Sequence, residues 1–132
     1  MSPEGAFRSD LLAWLRADDL LSDAVNAVLD SGPLRASEPY LTIDSSLAAD
    51  WSVKDRAGRE VRPLLSILDT GPSPDRAAAI ATLVEARLAA MPRNGTGYEL
   101  VTLVFLRSRL SGGAKTRWQY QLEYRARLFA AA

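Results

Sequence analysis

The chain contains neither cysteine nor histidine in its 132 residues. Without cysteine there is no disulfide and no thiolate nucleophile, and without either residue the usual ligand sets for zinc are gone. The side chain best suited to moving protons near neutral pH is also missing, which leaves carboxylates as the only candidates for acid–base work. No apolar run approaches the ~18 residues of a membrane span. The opening residues Met1-Ser2-Pro3-Glu4-Gly5-Ala6-Phe7-Arg8 lack the basic-then-apolar order of a secretory signal, so residence in a cytoplasm is expected. The length suits a single domain over 1–132.

Net charge is zero, yet it is unevenly spread. Residues 1–50 hold nine acids and three bases, and residues 51–132 hold seven acids and thirteen bases. Either the halves interleave on one surface, or each copy has an acidic and a basic side, which favours head-to-tail packing around a ring.

Residues 116–128 alternate apolar and polar almost without a break. Trp118, Tyr120, Leu122, Tyr124, Ala126 and Leu128 share one parity; Arg117, Gln119, Gln121, Glu123, Arg125 and Arg127 share the other. A period of two predicts a long strand with one face in a core and one polar face suited to a protein partner. Upstream, residues 98–109 also read as a strand. Apolar residues occupy both parities at its centre, which predicts burial on both faces. Ser111-Gly112-Gly113-Ala114 supplies the turn between the two.

Residues 6–30 carry Leu11, Leu12, Trp14, Leu15, Leu20, Leu21, Ala24, Val25, Val28 and Leu29 at helical spacing. Ser9 is the expected N-cap, Asp18 or Asp19 caps a second helix, and Ser31-Gly32-Pro33 ends it. Trp14 reads as a core anchor. Tyr40-Leu41-Thr42-Ile43 is strand-like, Ser45 to Asp50 reads as a bulge or loop, and Trp51-Ser52-Val53 resumes an alternating pattern. Residues 54–58 form a turn into a strand over residues 60–69, where Pro63 predicts an edge position or a local irregularity at that point. Ser73 and Pro74 open a helix that runs to Met91 and is closed by Pro92. The order αα-ββ-α-ββ predicts an α+β fold: a mainly antiparallel four-stranded sheet with helices packed on one face.

Few constellations carry chemistry. Gly95-Thr96-Gly97 precedes a strand and not a helix, so it is no phosphate loop. Gly71-Pro72-Ser73-Pro74 opens a helix, but it has no lysine beside it and Asp75 repels an anion. The pairs Asp18-Asp19 and Asp44 with Asp50 would need to converge in a cleft to serve a metal or a hydrolase. Arg107, Arg109, Lys115 and Arg117 flank the glycine turn with no acid near in sequence. That basic tip suits a phosphate backbone, an acidic protein neighbour, or simple solubility of an edge hairpin. No catalytic, cofactor or metal site is expected.

As a whole, the chain resembles the tail-terminator, or tail-completion, proteins of long-tailed phages and gene transfer agents. The likeness runs from about residue 9 to residue 130. It rests on the order of LLAWLRADDLLSDAV, EPYLTID, Trp51-Ser52 with KDRAGRE, VRPLLSILD, TGPSPDRAAAIATLVEARLAA and the terminal hairpin from Glu99 to Leu128. The resemblance implies a structural, non-enzymatic virion protein. It would form a hexameric ring on the head-proximal end of the tail tube, stop tube growth and face the head connector, with DNA passing through unread. Implied partners are sister copies, the major tail tube protein and the connector or stopper. The expected interface comprises Arg107, Arg109, Lys115, Arg117, Gln119, Gln121 and Arg125. A small non-viral α+β adaptor is the other reading the layout allows.

Overall fold

A computed structural model describes residues 1–32 and 36–131. Two helices open the chain, α1 (Pro3–Arg16) and α2 (Asp19–Ala24). Ser2 caps α1, its hydroxyl accepting from the Gly5 N–H at 3.1 Å, so the cap lies seven residues before the expected Ser9. Asp18 caps α2 as expected, accepting from the Leu21 N–H at 3.2 Å. The expected helix does not continue to residue 30. Val25 turns to extended backbone, and Val28–Asp30 forms β1, parallel to the start of β2 (Tyr40–Asp50). Pro33, expected to end the helix, lies outside the described residues.

The remaining elements are β3 (Gly58–Asp69), α3 (Asp75–Ala89), β4 (Asn94–Gly95), β5 (Tyr98–Ser111) and β6 (Trp118–Ala130). They complete a six-stranded sheet in the order β1-β2-β3-β6-β5-β4. The sheet is mixed, because β1 is parallel to β2 and the other pairs are antiparallel. The expected four-stranded, mainly antiparallel sheet is thus corrected by two short strands, of three and two residues, too brief to show a period of two. The α+β class stands.

Pro63 sits in β3, which is central, so of the two expected outcomes the local irregularity holds and the edge position does not. The ladder makes room for it: β2 carries an irregularity between Ile43 and Ser46, and Ser46 is the partner of Pro63. Beyond that bulge β2 continues to Asp50, so Ser45–Asp50 is strand and not loop. Trp51 and Val53 do not form a further strand. Val53 makes one isolated bridge to Arg56, and Trp51 stacks on Phe129 with ring centroids 4.9 Å apart.

One core unites the helices with one sheet face. Phe7, Leu11 and Leu15 of α1 and Ile80, Ala81, Val84 and Leu88 of α3 pack on Leu41, Ile43, Val61, Leu65, Ile67, Leu122, Ala126 and Leu128. From Leu122 to Leu128 burial alternates as the sequence predicts. Trp14 packs at the margin. Its indole N–H donates to the Arg87 carbonyl at 2.7 Å, while the Arg87 guanidinium lies 3.4 Å from the ring centroid. On β5, burial on both faces is not reached within the single chain: Val101, Val104, Phe105 and Leu110 are exposed, Val104 on the face away from the helices, Phe105 and Leu110 on the helix side opposite Tyr124 and Tyr120.

Candidate functional site

The sheet face turned away from the helices gathers most of the expected interface. Residues directly paired across an antiparallel ladder share a face. Val104 pairs with Arg125, Arg107 with Glu123, Arg109 with Gln121 and Ser111 with Gln119. This holds although β5 is bulged at Leu100/Thr102 and again at Phe105/Arg107. Each bulge switches the parity of the residues beyond it, so simple counting along the strand fails. Arg107, Arg109, Gln119, Gln121 and Arg125 therefore lie on one face; Arg117 flanks it, and Lys115 stands in the exposed turn.

The basic tip is not free of acids, contrary to its sequence neighbourhood. Arg107 pairs with Glu123 at 3.1 Å, and Arg117 pairs with Glu38 at 2.7 Å. Further along the same face Arg127 pairs with Glu60 at 3.1 Å. Glu123 was visible as a polar-face residue, but its partner depended on the β5 register. Glu38 lies far away in sequence, and nothing local pointed to it. Two buried groups on this face, the Thr102 hydroxyl and the Arg125 Nε–H, have no hydrogen-bond partner within the described residues. A buried polar group left unpaired costs free energy, so both suit a face that is completed by another molecule.

The carboxylates do not converge. Asp18 is a helix cap and Asp19 is exposed. Asp44 accepts from the hydroxyls of Thr42, at 2.7 Å, and Ser66. Asp50 accepts from the Ser52 hydroxyl at 2.6 Å, which lowers its pKa below the ordinary carboxylate value. Asp44 and Asp50 occupy opposite ends of the outer half of β2, each held by its own hydroxyl partners. Among the described residues no group of three or more acids could hold a metal ion, and no helix is long and apolar enough to cross a membrane. A recess of about 260 Å³ between α1 and the link from α3 to β5 is lined by Asp10, Trp14, Met91 and Tyr98 among others. There the Tyr98 hydroxyl donates to Asp10 at 2.8 Å, and burial with that contact raises the tyrosine pKa. That pair ties α1 to the base of β5. α3 starts at Asp75 with Pro74 as its N-cap, so the cap is not Ser73, whose hydroxyl instead accepts from the Asp75 N–H at 3.0 Å within the preceding turn.

Comparison with known proteins gives a consistent picture. The family described as tail completion protein gp17 matches residues 9–128. A chain from the virion of a native gene transfer agent particle superposes with a TM-score of 0.82 at 26% identity, covering 96% of this chain and 97% of that one. The bacteriophage SPP1 gp17 protein shares the fold, with a TM-score of 0.59 at 17% identity over 96% of this chain and 89% of that one. No curated protein matches the chain.

Proposed function

The chain belongs to the tail completion protein gp17 family, and on that premise we propose that it works in the tail of a phage or gene transfer agent particle as a ring-forming terminator. In this reading copies close into a hexameric ring on the head-proximal end of the tail tube. The ring stops tube polymerisation and presents a surface to the head connector, and DNA passes through it without being read. Assembly takes place in the bacterial cytoplasm. The observation that carries the reading is the near-complete superposition on a chain of an assembled gene transfer agent virion.

The geometry supports a structural role. A ring of identical subunits needs two different, complementary patches on each copy. This sheet has unlike ends, with the short parallel β1 at one and the basic β5 hairpin beside the short β4 at the other. Arg107, Arg109, Lys115, Arg117, Gln119, Gln121 and Arg125 form the partner-facing surface, with Thr102 and Arg125 supplying donors not used among the described residues.

Native mass spectrometry of the purified protein, and electron microscopy of it mixed with tail tubes, test the proposal. Sixfold species that decorate one tube end are expected. A chain that stays monomeric at all concentrations and ignores tube ends would overturn the reading and return the adaptor alternative.

A further inference from the structure

The two outer edges of the sheet are each half open, in opposite halves. β1 flanks β2 only at Leu41, Thr42 and Ile43, which leaves the outer side of residues 45–50 with no strand among the described residues. β4 flanks β5 only at Tyr98 and Glu99, and the Leu100 N–H still donates to the Arg93 carbonyl, which leaves the outer side of residues 101–111 with no strand among the described residues. Open edges present unpaired N–H and C=O groups and template further strands. Neither open stretch contains a proline to block pairing, and Leu47 on one is 78% exposed while Leu110 on the other is 43% exposed.

We infer that residues 45–50 of one copy pair antiparallel with residues 106–111 of a second copy, joining neighbouring sheets head to tail; this rests on the ring reading above. Steric blocking fixes the offset. β1 lies on the same edge of β2 as residues 45–50, beyond their N-terminal end. Laying β2 of one copy on the lower part of β5 would drive its β1 into the upper part of that strand. Displacing the copy along the strands places β1 past the Gly112 turn and leaves β4 room below.

Face phase selects the register. Ala48 pairs with Val61, and Ser108 pairs with Leu122, so both Ala48 and Ser108 lie on the helix side of the sheet. Setting Ala48 opposite Ser108 keeps both helical layers on one side, and a slip of one residue would turn every side chain to the wrong face. Ser46 then meets Leu110, and Leu47 meets Arg109. Small residues at 45, 46, 48 and 49 leave space for the larger side chains of β5. Charge adds little, since Arg8 pairs with Asp30, Arg59 with Asp50 and Arg107 with Glu123 within the chain.

The absence of native cysteine allows a direct test. Directly paired residues in such a ladder have Cα atoms about 4.5–5.5 Å apart, within disulfide reach. The double variant Ala48→Cys/Ser108→Cys, oxidised after ring formation, is expected to give a covalent ladder that ends at the ring number, while either single variant gives none. A dimer from Ser108→Cys alone would overturn the inference in favour of β5 pairing with β5. Rings present by mass with no ladder, here or in the in-phase double variant Ser46→Cys/Leu110→Cys, would overturn the strand pairing and leave the ring reading standing. If the unmodified chain forms no ring alone or on tail tubes, both fall together.

Discussion

At the scale of single residues, two positions show how chemistry fixes local structure. Asp69 ends β3 with only 1% of its surface exposed. Its carboxylate accepts from Arg76 Nε at 2.8 Å and Nη2 at 2.5 Å, and from the Thr70 N–H at 2.8 Å. The bonds from Arg76 hold its pKa below the ordinary value of 3.8, outweighing burial, which pushes the other way. A carboxyl with a lowered folded pKa adds stability that is complete above the unfolded value and is lost as pH falls through the folded one. Denaturant unfolding followed into acid should therefore show stability falling below about pH 3.8. In Arg76→Ala the total should drop and this acid slope should flatten. An unchanged slope would mean that other carboxylates carry the acid response. Gly112 is the second case. It adopts φ +102°, and a Cβ there would run into the carbonyl of Arg117. Gly112→Ala is expected to destabilise the β5–β6 hairpin by about 1 kcal/mol or more, seen as a lower midpoint in thermal unfolding.

At the scale of elements, the joint between α1 and α3 depends on one reciprocal pair. Trp14 donates to the backbone of Arg87, and Arg87 Nε donates back to the Trp14 carbonyl at 2.8 Å while its guanidinium stacks on the indole. Trp14→Ala should cost about 3 kcal/mol through lost packing and a lost donor. Arg87→Lys should also weaken the joint, because an ammonium neither stacks flat nor donates in the same plane. Denaturant titration of the two variants ranks these effects. Elements with enough residues to show a period were legible in the sequence: α3, the Asp18 cap and the inward parity of Leu122 to Leu128. Val28–Asp30 was not, because Val25, Val28 and Leu29 also satisfy helical spacing and only its parallel partner in β2 decides the matter. Pro63 left an edge and an irregularity both open, and the pairing decides for the irregularity. A proline rules out a regular ladder, but not a central strand beside a bulge. The polar face that would carry the proposed interface was legible on β6, where parity is unbroken. On β5 it could not be completed, since two bulges change which residues face Arg125 and Glu123.

At the scale of the whole molecule, the split of charge along the sequence is only partly a split across the sheet. The β1–β2 end carries Asp30, Asp44 and Asp50, but Arg8 pairs with Asp30 and Arg59 with Asp50, while the β5 hairpin carries Arg107, Arg109, Lys115 and Arg117. In the proposed ring the hairpin cations would meet the neighbouring copy, and salt screens such an attraction over about 8–10 Å at physiological strength. Self-association of the native chain should therefore weaken as salt rises. Arg109 and Lys115 are the positions to reverse. Arg107 and Arg117 already hold Glu123 and Glu38 within the chain, and changing them would disturb the fold as well as the contact. In Arg109→Glu/Lys115→Glu the hairpin loses the two cations it offers to the neighbouring copy. The midpoint concentration for ring formation should rise about fivefold at low salt, given about 1 kcal/mol for an exposed pair. The salt response should also flatten, because less attraction is left to screen. The two midpoints should converge as salt increases, while thermal unfolding of the monomers stays alike. Mass photometry across a salt series reads both trends at once. A gap that persists at high salt would place the contribution of these residues in packing and not in charge.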